Sequence, residues 1–144
     1  MKISGTYRFE ATPERVWEAL LDPDVVRDCI PGVQEFHVVT PDSYRVEVGV
    51  KVGVFSGSLN GTLEIFDKQP ISSYRMSVRG AGPMTNLTGD ALVSLSAEGD
   101  ATTVTVDGDV AVTGALARVG QRFISSAAKS QFDDFFGRLS ERVG

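Results

Sequence analysis

The sequence predicts an α+β fold: a seven-stranded curved antiparallel sheet around a long C-terminal helix, with two short helices after strand one. Three observations carry that prediction. Apolar and polar residues alternate through the middle of the chain, most cleanly where Tyr44, Val46, Val48, Val50 and Val52 interleave with Arg45, Glu47, Gly49 and Lys51. Such a run is a strand with one dry and one wet face. The turns between successive runs are short, which makes each strand the neighbour of the next in a meander. From Gly114 to about Arg142 the apolar period becomes helical.

Taken in order, Ile3, Gly5, Tyr7 and Phe9 alternate with Ser4, Thr6 and Arg8 as strand one. Thr12 is a helix cap, Pro13 suits a first helical position, and Glu14 favours the positive end. Val16, Trp17 and Leu20 form that helix's apolar face, and Asp22-Pro23 ends it. A second short helix spans about Pro23 to Cys29 and stops at Pro31-Gly32. A strand around Phe36 and Val38 precedes the Tyr44 run. Further inward sets are Leu59, Leu63 and Ile65; Tyr74, Met76 and Val78; Leu87, Ala91, Val93 and Leu95; and Val104, Val106, Val110 and Val112. On the C-terminal helix Leu116, Val119, Phe123 and Ala127 share one face and Phe132, Phe135, Phe136 and Leu139 another, with a kink or change of packing partner expected at Ser125-Ser126.

The chain's 144 residues suit one domain, residues 1–144, with a full core. A content of 42% hydrophobic and 23% charged residues excludes wholesale disorder. A single cysteine, Cys29, excludes an internal disulfide or a cysteine-based zinc cluster, and the single histidine, His37, excludes a His-rich metal site. A net charge of −5 argues against non-specific nucleic-acid binding. The first residues carry no basic stretch followed by an apolar one, and the longest uncharged stretch, Val52 to Leu63, is too short and polar to span a membrane. A soluble, cytoplasmic chain is the expectation.

The 15 glycines are about a tenth of the chain, above the usual roughly 7%. Projected on the strands, Gly5, Gly61, Gly80, Gly89 and Gly108 fall on the inward face, and Gly120, Ala127 and Ala128 are small residues on the helix. One reading is curvature, since a strand glycine marks a bend or bulge. The other adds an apolar cavity held open between sheet and helix, and retained space implies a ligand. The meander sorts the turns by end. One end is polar: Pro41-Asp42-Ser43, Asp67-Lys68-Gln69-Pro70 and Glu98-Gly99-Asp100. The other carries apolar tips, Val54, Phe55, Met84 and Leu87, beside the start of the long helix. Those tips either fold back over the core or form the mouth of a pocket that touches a bilayer or a protein partner. Arg118 and Arg122, one turn apart, are solvated or form a basic patch for phosphate headgroups or an acidic partner.

No nucleophile elbow, C-x-x-C, H-E-x-x-H or P-loop occurs. His37 falls outward by alternation. Cys29 beside Asp28 is a structural thiol rather than a nucleophile. The pairs Asp107/Asp109 and Asp133-Asp134 read as solvated carboxylates. The projected interior offers Tyr7, Tyr44 and Tyr74 but no Asp, Glu or His.

The element order resembles the helix-grip fold of the START-like (SRPBCC) superfamily, known for apolar ligand cavities. Locally, Val16-Trp17-Glu18-Ala19-Leu20-Leu21-Asp22-Pro23 and Cys29-Ile30-Pro31-Gly32 resemble the CoxG family of carbon monoxide dehydrogenase subunits. So do the loop Gly53-Val54-Phe55-Ser56-Gly57 and the segment Gly114-Ala115-Leu116-Ala117-Arg118-Val119-Gly120-Gln121-Arg122, followed by Phe135-Phe136. Together these cover nearly the whole chain. Many members of that family continue into a linker and a membrane-binding tail; this sequence ends at Gly144. The resemblance implies an accessory protein, not an enzyme, that accompanies a molybdenum carbon monoxide dehydrogenase. It implies recruitment of the enzyme to the inner face of the membrane and a link to respiratory quinone. An isoprenoid quinone such as menaquinone is the implied ligand, with no catalytic cofactor and no metal.

The expected cavity lining is Trp17, Val50, Val52, Leu59 and Met76 with Leu116, Val119, Gly120 and Phe123 from the helix; Ile30 joins it, and Phe55, Met84 and Leu87 guard the mouth. Two other classes remain open. One is a START-like cyclase or hydratase on a hydrophobic substrate, which needs an inward acid–base pair. The other is a ligand-free adaptor for membrane recruitment.

Overall fold

The computed structural model describes residues 1–143. β1 (Lys2–Phe9) is followed by α1 (Pro13–Leu20) and α2 (Pro23–Cys29). Six strands then run in succession: β2 (Val33–Thr40), β3 (Ser43–Val52), β4 (Phe55–Gln69), β5 (Ser73–Gly82), β6 (Thr85–Glu98) and β7 (Ala101–Gly114). A 3₁₀ turn (Leu116–Val119) leads into α3 (Gln121–Val143). The short helices start where their caps dictate. The Arg15 N–H donates to Thr12 Oγ1 at 3.4 Å and the Asp24 N–H to Asp22 Oδ1 at 2.9 Å. Pro13 and Pro23 sit at the first turn, where no amide donor is needed.

The sheet has the order β1-β7-β6-β5-β4-β3-β2, with every pair antiparallel. β2 to β7 form the expected meander, and β1 closes onto β7. The register sets Val46 opposite Gly61, Gly61 opposite Gly80, and Gly89 opposite Val110. Inward and outward sets follow the alternation in the sequence. His37 is exposed on the wet face, 3.8 Å from Glu35.

α3 packs across β1 and against α1 and α2. Phe136 stacks on Tyr7 at 4.4 Å and meets Phe9 edge-on at 6.2 Å. Leu139 and Val143 are buried below it. The helix is pinned at its end by Arg142 to Asp28 on α2 (2.7 Å) and by Arg15 Nε donating to the Val143 carbonyl (2.8 Å). The buried core, including Phe9, Val16, Leu20, Cys29, Val104 and Leu139, fills the end of the sheet under α1, α2 and this half of α3.

The helical segment expected from Gly114 divides in two. Gly114 and Gly120 have φ of +88° and +96°, left-handed values that an α-helix cannot include. Between them Leu116–Val119 makes only a 3₁₀ turn, so α3 begins at Gln121. From there it runs unbroken through Ser125-Ser126.

Candidate ligand cavity

Burial of the apolar inward residues falls in the same direction along β3, β4, β5, β6 and β7. On β3, Tyr44 and Val46 are buried while Val48, Val50 and Val52 are half-buried. On β5, Tyr74 is buried and Met76, Val78 and Gly80 are half-buried; on β6, Val93 and Ala91 are buried and Gly89 and Leu87 half-buried. β7 repeats this from Val106 to Val110. The concave face is therefore packed at one end and open at the other. The open part is a cavity of about 350 Å³, within the roughly 300–1,000 Å³ range of small-molecule sites. Its floor includes Val48, Val50, Leu59, Leu63, Met76 and Val78. Four of the five projected inward glycines, Gly61, Gly80, Gly89 and Gly108, belong to it. Phe132, Phe135, Phe136, Gln131 and Ala128 of α3 form the roof, and Leu20, Val26, Ile30 and Pro31 close one side. The fifth glycine, Gly5, lies under the Tyr7 ring, where an added Cβ would come 2.5 Å from the hydroxyl.

Of the lining residues the sequence predicts, Ile30, Val50, Leu59, Met76 and Leu87 line the cavity. The others lie elsewhere. Trp17 packs edge-on against Tyr74, ring centroids 5.8 Å apart, without itself lining the cavity. Val52 is half-buried beyond the cavity at the end of β3. Leu116 is buried at the foot of the β6–β7 hairpin, its N–H donating to Thr85 Oγ1 at 3.2 Å. Val119 faces Gly53, and Gly120 forms the left-handed break with nothing within 4 Å of an added Cβ. Phe123 is 57% exposed, because the break at Gly120 resets the phase of α3 and turns this face outward. Tyr7 is half-buried on the inward face, its ring stacked on Phe136 and its hydroxyl donating to Asp133 on α3 at 2.8 Å.

The alternation marks Tyr44, Tyr74, Val48, Val78 and Val110 as inward, and the second helical face contains Phe132, Phe135 and Phe136. Their place in the lining is therefore readable from the sequence. The neighbouring Leu116–Phe123 face competes with them for that role, because its spacing carries no sign of the two glycine breaks.

Three loops meet at the open end. The Ala115 N–H donates to the Met84 carbonyl at 2.7 Å. A Cβ at Gly53 would lie 3.8 Å from Val119, and one at Gly57 3.6 Å from Pro83. Phe55 is half-buried against this contact. Val54 and Met84 project from the tips, 99% and 78% exposed. The surrounding cations are Lys51, Arg118 and Arg122, which lie outside the ion pairs formed among the described residues; all three are exposed.

The titratable groups near the interior favour neutrality. Burial pushes the Tyr74 phenol well above its ordinary value near 10, and Tyr44 shifts the same way for the same reason. Burial likewise raises the Cys29 thiol, which stays protonated in the core. Among the described residues no group of His, Cys, Asp and Glu could hold a metal ion, and no helix is long and apolar enough to cross a membrane.

The family model for CoxG, described as a subunit of carbon monoxide dehydrogenase, matches residues 5–144. The chain belongs to the CoxG family. Among solved structures, a conserved protein from Geobacillus kaustophilus is similar at 24% identity with a TM-score of 0.93, covering 99% of this chain and 95% of that one. A START superfamily protein from Mycobacterium smegmatis gives 17% identity and a TM-score of 0.71 over 99% and 96% of the two chains. ZhuI aromatase/cyclase from Streptomyces sp. R1128 gives 12% and 0.71 over 99% and 93%. At these identities the likeness shows the fold: the CoxG-family chain has the helix-grip, START-like architecture. No curated protein matches it.

Proposed function

We propose that this CoxG-family protein is an accessory, non-catalytic subunit that binds an isoprenoid quinone of the menaquinone type in its apolar cavity. In that role it links a molybdenum carbon monoxide dehydrogenase to the membrane quinone pool. The observation that carries the reading is the cavity of about 350 Å³ beneath α3. The cavity is open at one end, so an unliganded state costs the contact of its apolar wall with water. A prenyl chain offsets that cost at about 25 cal/mol per Å² of apolar surface removed from water.

The family supplies the enzyme partner: its name describes a subunit of carbon monoxide dehydrogenase. The apolar tips Val54 and Met84, flanked by Lys51, Arg118 and Arg122, suit peripheral contact with an anionic membrane. The cyclase reading would draw on the ZhuI likeness, but acid–base work needs a titratable group within reach of the substrate, and the one Asp, Glu or His among the described lining residues, Asp90, is exposed. Among the described residues the buried polar and charged side chains outside tyrosine are Thr85 and Thr102.

The test is extraction of the purified protein with organic solvent and mass spectrometry of the extract, followed by titration of the delipidated protein with menaquinone. Co-purified quinone and saturable uptake are expected. An empty extract together with no uptake rejects the quinone reading in favour of a ligand-free adaptor.

A further inference from the structure

Of the cavity's lining residues with polar side chains, Asn60 and Asp90 are exposed, Thr62 and Gln131 are half-buried, and Tyr44 and Tyr74 are buried. The two buried hydroxyls differ. Tyr44 donates to the Pro41 carbonyl at 3.3 Å. Tyr74, 5% exposed, forms no hydrogen bond through its hydroxyl among the described residues, whereas the third tyrosine, Tyr7, is engaged with Asp133. A buried hydroxyl without a partner is a rare and unfavourable arrangement. No side-chain oxygen wholly shut off from open volume lacks a partner among the described residues. Tyr74 is one of the residues that line the cavity.

Its position gives a direction. Tyr74 stands opposite Val93 on β6, at the packed end of the concave face, where Tyr44, Val93 and Val106 are all buried. From there the wall continues along β5 through Met76, Val78 and Gly80 toward the half-buried, open end.

We propose that the Tyr74 hydroxyl is the polar anchor of the cavity. It donates a hydrogen bond to a carbonyl oxygen on the ring of an otherwise apolar ligand, which seats the ring at the closed end and runs the tail toward the mouth. The proposal rests on the reading of the cavity as a quinone site and adds the ligand's polarity and orientation to it. Burial keeps the phenol protonated across the physiological range, so it stays a donor. An apolar pocket by itself does not distinguish a quinone from a hydrocarbon of the same shape. A fixed donor does, because the hydrocarbon leaves it unpaired.

Two probes test this on the full chain: 2-methyl-3-geranyl-1,4-naphthoquinone and its carbonyl-free counterpart, 2-methyl-3-geranylnaphthalene. Binding is read by retention of each probe on gel filtration and by fluorescence of Trp17, the single tryptophan, whose ring lies 5.8 Å from that of Tyr74. The wild type should bind the naphthoquinone roughly 2- to 10-fold more tightly than the naphthalene, as one net hydrogen bond implies. Tyr74→Phe should lose that preference while holding the naphthalene at least as tightly as before. The wild-type comparison needs no variant, so it decides even if Tyr74→Phe folds poorly. Equal binding of both probes by the wild type overturns the anchor and leaves the apolar cavity standing as a binding site. Binding of neither probe overturns the cavity reading and the anchor together.

Discussion

Gly61 and Gly89 both face the cavity, yet their missing side chains serve different ends. A Cβ at Gly61 would sit 2.7 Å from the Arg79 carbonyl oxygen and 3.2 Å from Gly80 Cα. There β4 and β5 approach too closely for any side chain. At Gly89 an added Cβ meets only the Asp109 carbonyl at 3.6 Å and Val110 at 3.7 Å, ordinary contacts. Gly61→Ala should therefore destabilise the protein by about 1–3 kcal/mol, since neighbouring backbone must move. Gly89→Ala should stabilise it by about 0.5–1 kcal/mol through the unfolded chain's lost freedom, while weakening naphthoquinone binding by filling its space. Urea denaturation and quinone titration of both variants check this. Destabilisation of both to the same extent would mean that the glycines serve only to curve the sheet. The alternation of apolar and polar residues suffices to place both glycines inward. It does not separate them, because the distinction is a distance between strands and is set only once the sheet is paired.

The elements show the same division between local and tertiary information. α1 and α2 are legible to the residue because Thr12-Pro13 and Asp22-Pro23 carry their own start signals. The start of α3 is not, because Leu116 and Val119 are three apart, a spacing common to α- and 3₁₀-helices. Only the left-handed backbone at Gly114 and Gly120 decides between them. A Cβ at Gly114 would lie 2.0 Å from the Met84 carbonyl, so its conformation depends on a loop distant in sequence. The far end of α3 yields a pH prediction. Asp28 accepts from Arg142 Nη1 at 2.7 Å and Arg27 Nε at 3.2 Å, and these bonds hold its carboxyl below its ordinary value near 3.8. A group depressed on folding contributes stability that is complete above its unfolded value and is lost as the pH falls through its folded value. The melting temperature of wild type should exceed that of Asp28→Asn at neutral pH, by a small margin because the pair is exposed. That margin should close as the pH drops below 3.8. A gap that persists unchanged into strong acid would show that the ion pair is not its source.

At the scale of the molecule, the decline in burial along β3 to β7 creates one packed end and one open end. This gradient belongs to the assembled sheet and to no single strand, so the sequence shows it only indirectly, through polar turns at one end and apolar turns at the other. The open end combines two features that oppose each other on an ordinary water-facing surface. Val54 and Met84 are 99% and 78% exposed, and Met84 holds a strained φ of +50° at its tip. Around them Lys51, Arg118 and Arg122 present positive charge on a chain whose net charge is −5. An apolar tip ringed by cations fits the interface of an anionic bilayer, where the side chains leave water and the cations meet headgroups. Wild-type protein should therefore float with vesicles containing anionic lipid, less so as salt is raised. The double substitution Val54→Asp, Met84→Asp should abolish flotation. The fold should survive it, since neither side chain is buried and aspartate tolerates a left-handed backbone better than methionine does. Binding of the naphthoquinone in solution should stay within about twofold of wild type, because neither residue lines the cavity. Flotation of the double variant at the wild-type level would place membrane contact elsewhere on the surface. Loss of quinone binding in solution would instead make these tips part of the ligand site rather than its docking rim.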